Sequence, residues 1–266
     1  MKVISFINLK GGVGKSVTSV NFAHILATIH NYRVLLIDND KQGNTSKFFG
    51  LHDYDHASIA EVLTEKGYDI RDAIRRTSYD RLNLLPANMT LLKADKQVLI
   101  DTVRPQQTRL RAALKQVEDQ YDYVVIDNAP DLSMSVINAL VATNDVFIPI
   151  KIDNFSFDGV NEILSCVEDI RAFNEGIRIA GGFITMFEWN NVNRQGGDYL
   201  ETREDLPMMK TRIRKAVAVN ETTFTGEPIL VYAKNSNPST DYLALVEEYL
   251  LGYNLILKYA RGIDTR

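Results

Sequence analysis

The stretch Val3-Ile4-Ser5-Phe6-Ile7-Asn8-Leu9-Lys10-Gly11-Gly12-Val13-Gly14-Lys15-Ser16 decides the fold. The apolar run Val3 to Ile7 reads as a buried strand, Lys10 to Gly14 as a glycine-rich turn, and Lys15-Ser16 opens a helical pattern. Together they make a phosphate cradle. Glycines let backbone N–H groups converge on phosphate oxygens, and the helix N-terminus adds the positive end of its dipole. In such a cradle Lys15 reaches the β/γ-phosphates and the Ser16 hydroxyl sits on Mg²⁺. A surface turn that merely holds glycines and lysines is the bland alternative, and the flanking strand and helix argue against it.

Outward from this loop, the 266 residues suit one α/β domain spanning 1–266, with 45% hydrophobic and 24% charged residues supplying an ordinary core and surface. No run of 18 apolar residues predicts a spanning helix, and the N-terminus enters a strand without a signal-peptide pattern. The single Cys166 rules out an internal disulfide and points to a reducing, cytoplasmic setting. One cysteine and four scattered histidines cannot build a zinc or iron–sulfur site within one chain. A net charge of −4 gives no global pull toward nucleic acid, so any DNA contact needs a local patch.

Further apolar runs follow. Arg33 to Asp38 and Tyr121 to Asp127 read as buried strands, continuous rather than alternating, as a parallel sheet covered on both faces requires. Each ends in an aspartate, where open α/β sheets bind ligands. Asp127 after an apolar strand is the Walker B pattern and holds Mg²⁺, usually through water. Asp38 and Asp40 are also compatible with a simple cap-and-turn cluster. Leu82–Leu85, 145–150 and 177–186 read as strands, and 17–30, 58–64, 106–120, 133–143, 158–173 and 240–259 as helices, the last interrupted at Gly252. Arg104, Arg109, Arg111 and Lys115 read as a solvated helix face, and Cys166 as inert core. The stretch 189–197 reads as polar and flexible.

Lys-Gly-Gly-Val-Gly-Lys-Ser lacks the first glycine of the common P-loop, having Leu9 there, and carries Lys10 instead. It resembles the deviant Walker A motif of the ParA/MinD family of ATPases, whose signature is that early lysine. Asp38-Asn-Asp40-Lys-Gln-Gly-Asn44 resembles the family's A′ motif, with Lys41 where proline is usual. Asn128-Ala129-Pro130 stands in for Thr-Pro-Pro, 146–151 resembles the family's Val-Pro-Val-Gln strand, and Phe157-Asp158-Gly159-Val160 its Leu-Glu-Gly-Val.

The resemblance implies a doubly wound, mostly parallel sheet with helices on both faces. It implies ATP and Mg²⁺ as cofactors: Lys10, Gly11, Gly12, Val13, Gly14, Lys15, Ser16 and Val17 hold the nucleotide, and Ser16, Asp38 and Asp127 serve the metal. Lys10, Lys15 and Asp40 would be catalytic, with Lys10 acting across an ATP-dependent homodimer and Asp40 aligning the attacking water. It also implies slow hydrolysis stimulated by a ParB-like centromere-binding partner, in plasmid or chromosome partitioning, with non-specific DNA and the nucleoid as track.

The DNA expectation falls on Lys210, Arg212, Arg214 and Lys215, four cations in six residues. If 209–213 is a strand, Lys210, Arg212 and Arg214 share one face. A charged edge strand that discourages aggregation explains the same pattern. The family's Pro-Arg-Asn-Val-Arg is matched only by Arg214-Lys215-Ala216-Val217-Ala218, so nucleobase contact would fall to backbone near 217–220. A MinD-like protein working on a membrane or protein scaffold is the alternative. The C-terminal helix argues against membrane attachment, with Glu247 and Glu248 in its middle and few basic residues (Lys258, Arg261, Arg266). A metabolic ligase activating a small carboxylate is a third reading, without a recognisable second-substrate site.

Overall fold

Strands β1 (Lys2–Phe6), β2 (Val34–Asn39), β3 (Arg75–Arg76), β4 (Leu82–Leu85), β5 (Tyr123–Asn128), β6 (Asp145–Lys151) and β7 (Arg178–Thr185) form one sheet, in the order β3-β4-β2-β5-β1-β6-β7. All neighbours are parallel except the short edge pair β3–β4. The computed structural model describes the backbone of residues 1–153 and 156–260, and the side chains of 1–153 and 159–252. Phe157, Asp158, Lys258, Arg261 and Arg266, singled out above, therefore lie outside the described side chains.

Side chains alternate between two covered faces. On one face Val3, Leu35, Ile37, Val124 and Ile126 pack under α3 (Ile59–Thr64), α4 (Leu91–Ile100), α5 (Arg109–Leu114) and α6 (Met134–Ala142). The same face continues over β6 and β7 under α7 (Ser156–Ile170) and α8 (Asn191–Glu201), through Ile148, Ile150, Ile163, Ile184 and Leu200. On the other, Ile4, Phe6, Leu36, Val125, Phe147 and Phe183 meet α1 (Lys15–Thr28), the short α10 (Ile229–Tyr232) and α11 (Asn237–Ala260). Both faces being buried is why the strands lack polar alternation. Phe6 sits in the centre of the second layer, 5.3 Å from the Phe22 ring and 5.4 Å from that of Phe147.

Charge closes the far end of the sheet. Asp145 is fully buried, paired with Lys2 at 3.1 Å and Arg178 at 2.6 Å, and accepts from the Tyr249 hydroxyl at 2.7 Å. α11 is thereby fastened to β6, with Tyr242, Leu245, Val246 and Tyr249 in the core. It continues through Gly252 rather than breaking there. No helix among the described residues is long and apolar enough to cross a membrane.

Two other expectations change. The polar stretch 189–197 is the start of α8, capped by the Asn190 side chain, which accepts from the Asn193 N–H. Its two glycines serve close packing: a Cβ on Gly196 would stand 2.5 Å from Ile152 Cγ2. Within the 104–115 segment Lys115 is exposed and Arg104 and Arg111 are partly so, but Arg109 is mostly buried, paired with Asp101 at 2.9 Å and donating to the Leu63 carbonyl.

Candidate nucleotide site

β1 stands where the chain order turns: β5 and β2 lie to one side, β6 and β7 to the other. The carboxyl end of such a strand opens into a crevice that no crossover helix covers. Residues 7–14 fill that position. Gly12 and Gly14 have φ of +72° and +86°, which an L side chain resists, and a Cβ on Gly11 or Gly12 would meet nothing within 4 Å. The loop backbone therefore lines open space. Gly14 begins α1 with no side-chain cap, which leaves the N–H groups of the first turn directed at the loop.

The two lysines of the loop occupy different surroundings. Lys15 is buried, its ammonium donating to the carbonyls of Asn8 at 2.9 Å and Lys10 at 3.0 Å. Burial lowers its pKa, while the charges of Asp127, Asp40 and Asp131 work against that shift. Lys10, one-third exposed, turns outward and pairs with Asp153 beyond the end of β6. Three residues that the motif reading did not single out hold the loop: Asn8 accepts from the Lys10 N–H and donates to the Pro149 carbonyl, Thr185 donates to the Val13 carbonyl at 2.8 Å, and Asp153 engages Lys10. Asn8, Thr185 and Asp153 stand at or just beyond the ends of β1, β7 and β6, so the strand-end rule that flagged Asp38 and Asp127 reaches them too.

The acidic residues divide their work. Asp38 and Asp127 are register partners on adjacent strands, both buried. Asp38 is already engaged: it accepts from the Ser46 N–H (2.8 Å), the Ser46 hydroxyl (2.7 Å) and the Asp40 N–H (3.2 Å). Asp127 accepts from the Thr45 hydroxyl through Oδ2 at 2.7 Å, while its buried Oδ1 has no partner. Burial raises both carboxyls; Asp127 raises Asp38 further, while Thr45, Ser16 and Lys15 pull Asp127 back. Asn128 turns away from this work, bridging the Asn39 side chain and the Phe6 carbonyl.

Magnesium binding is tested by these atoms. No group of three or more His, Cys, Asp or Glu among the described residues forms a metal cage. Mg²⁺ instead binds through one or two carboxylates plus substrate phosphates and water. The orphaned Asp127 Oδ1, beside Ser16 and an open glycine cradle, suits that mode. Asp38, whose oxygens accept from Ser46 and from the Asp40 N–H, braces the A′ segment beside it.

The cationic patch differs from its expected form. Residues 208–214 run alongside β7 through isolated bridges (Gly182 with Met208, Phe187 with Arg214), not as a regular strand. Its cations do not share a face. Arg212 turns to α8 and pairs with Glu201 at 2.8 Å over the Phe187 ring, whereas Arg214 turns to α11 and grips Asp241 at 2.6 Å. Lys215 pairs with Glu188 at 3.2 Å, and Lys210 is exposed. Ala216 precedes α9 (Val217–Thr225), so the 217–220 backbone is a helix start. Trp189, 85% exposed, stands edge-on to Phe187 at 5.1 Å at this end of the sheet.

A family model described as an AAA domain matches residues 1–179. Over 250 residues the chain is 33% identical to the sporulation initiation inhibitor protein Soj of Bacillus subtilis, spanning 93% of this chain and 97% of that one. A putative plasmid partition protein from Borrelia burgdorferi bound to AMPPNP superposes with a TM-score of 0.80 at 25% identity, covering 94% of this chain and 99% of that one. Cobyrinic acid a,c-diamide synthase from Mycobacterium smegmatis, with bound ATP analog and magnesium, also reaches 0.80, at 26% identity over 98% of this chain and 97% of that one. The fold and loop define a P-loop ATPase with the deviant lysine. The chain belongs to the ParA/MinD family, and nucleotide with Mg²⁺ is what the fold binds.

Proposed function

We propose that this chain is a ParA-type partition ATPase in which ATP binding pairs two copies and hydrolysis separates them. The observation that carries the reading is the division of the loop lysines: Lys15 is folded into the cradle, while Lys10 faces outward on Asp153. A lysine on the outer rim suits a second copy's nucleotide better than its own.

In this reading Lys15 and the backbone from Lys10 to Val17 hold the phosphates, and Ser16 and Asp127 hold magnesium, with Asp38 bracing the A′ segment. Mg²⁺, when bound, neutralises charge on the β- and γ-phosphate oxygens. Asp40 orients the attacking water, and Lys10 leaves Asp153 to stabilise charge on the transferred phosphoryl in the partner, as an arginine finger does. Release would be timed by a ParB-like partner. The dimer's track would be non-specific DNA, read by Lys210, Arg212, Arg214 and Lys215 in the cytoplasm at the nucleoid.

ATPase assay and sedimentation with ATP, with and without non-specific DNA, test this. ATP is expected to convert monomer to dimer, and DNA to bind only the dimer. Lys10→Ala is expected to keep ATP binding and lose hydrolysis by ~10³-fold; a variant with wild-type turnover defeats the trans-lysine mechanism. Asp40→Ala is expected to accumulate as an ATP-bound dimer.

The second reading, a positioning ATPase on a protein scaffold, is favoured by one observation: Arg212, Arg214 and Lys215 are each ion-paired within the chain. DNA binding that is absent in the wild type, or unchanged when Lys210, Arg212 and Arg214 become alanine, selects it. The ligase reading draws on the superposition with the diamide synthase, and an amidated or phosphorylated metabolite among the products would select it.

A further inference from the structure

The turn that carries Asp40 is held by a charge pair outside the motif chemistry. The Gly43 N–H donates to the Asp40 carbonyl at 2.8 Å, closing a turn with Lys41 in its second position. Asp40 Oδ1 accepts from the Gln42 N–H at 2.9 Å, the side-chain turn that aspartate makes in first position. Second position favours proline, whose ring presets φ. Lys41 has no ring. Its ammonium crosses instead to Asp131 Oδ2 at 2.8 Å, in the loop that follows β5.

Asp131 is itself set by the Ser133 N–H, which donates to Oδ1 at 3.1 Å. The two side chains are 30% and 37% exposed, so the pair is reachable by solvent ions. The Asp131 hydrogen bond holds the Lys41 ammonium above its ordinary pKa, with the charges of Asp131, Asp40 and Asp95 adding to it. Beneath this pair, Thr45 with Asp127 and Asn39 with Asn128 already join the same two strand ends. Lys41 with Asp131 fastens the outer layer, where the Asp40 carboxylate lies.

We propose that Lys41 is a positioning residue for hydrolysis: its ion pair with Asp131 pins the Asp40 turn against the loop after β5, in place of a proline ring. The inference rests on the ATPase reading above. A ring holds a turn at any ionic strength, whereas a part-exposed ion pair is screened as salt rises. Turnover in this chain therefore carries a salt dependence that originates inside the site, separate from any DNA contact.

The test measures MgATP hydrolysis without DNA or partner over a series of NaCl concentrations, with nucleotide affinity followed by a fluorescent ATP analogue. Lys41→Ala and Asp131→Asn are expected to lower kcat roughly three- to tenfold while KM stays within about twofold, because alignment and not binding is lost. Lys41→Arg is expected to restore most of that loss. Lys41→Pro is expected to recover part of it at low salt and to flatten the salt response. Dimer formation also responds to salt, so the deciding quantity is the difference in slope between wild type and Lys41→Pro, and its return in Lys41→Arg. If Lys41→Ala does not fold, Asp131→Asn and Lys41→Arg carry the comparison. Equal kcat in wild type and Asp131→Asn, or equal salt slopes in wild type and Lys41→Pro, overturns the proposal. A wild-type chain without magnesium-dependent hydrolysis overturns the ATPase reading first, and the positioning role with it.

Discussion

Asp38 and Asp127 face each other on adjacent strands at the bottom of the cradle, both out of contact with water. Burial disfavours the charged form of each and raises both pKa values, and the charge of Asp127 raises that of Asp38 further, to about 8. The folded state then binds protons more tightly than the unfolded chain, where carboxylates titrate near ~4. Stability of the metal-free protein is therefore expected to be highest at low pH within that window and to fall as pH rises from about 4 toward 8. Mg²⁺ with nucleotide should offset the loss, so the gain in melting temperature on adding MgATP should grow with pH. Melting curves that show the same gain at pH 5 and pH 8 would contradict this account of the pair. At this scale the motifs singled out Lys15, Ser16, Asp38 and Asp127, and the fold brings these four side chains together. Asn8, Thr185 and Asp153 had no motif: their roles come from neighbours more than a hundred residues away in the chain, which only the folded sheet brings close.

The short helix α2 (Asn44–Phe48) depends on Gly43, which precedes it with φ +63°. A Cβ there would stand 2.5 Å from the His52 ring and 2.7 Å from the Ala87 carbonyl oxygen, and the latter is backbone that cannot swing aside. Gly43→Ala is expected to cost ~1–3 kcal/mol through strain and crowding, and to weaken MgATP binding, because Thr45 and Ser46 hang from this helix. Urea unfolding checks the first, and titration with nucleotide the second. At the other side of the site, Glu201 and Glu188 hold Arg212 and Lys215. If DNA reads these cations, Glu201→Gln with Glu188→Gln should tighten ATP-dependent DNA binding and steepen its salt dependence, since fewer carboxylates compete with phosphate. Unchanged affinity would remove Arg212 and Lys215 from the DNA surface. The asparagines and glycines of α8 look like a loop in sequence, yet Asn190 is its cap and Gly196 lets it approach Ile152.

Across the whole molecule, the apolar strands made the parallel sheet legible, since a strand buried on both faces leaves a continuous signature. The region after β7 was harder to read. Its bridges to β7 are sparse, and its cations are divided between α8 and α11 by ion pairs that only the folded chain creates. That same region holds the chain's single tryptophan, Trp189, nearly bare to solvent just beyond Thr185, whose hydroxyl holds the phosphate loop. Native fluorescence excited at the red edge thus comes from one indole in a watery setting, with no buried emitter to mask it. If nucleotide, or the proposed pairing of two copies, changes the surroundings of that indole, the change can be followed in real time from one signal, without attaching a dye.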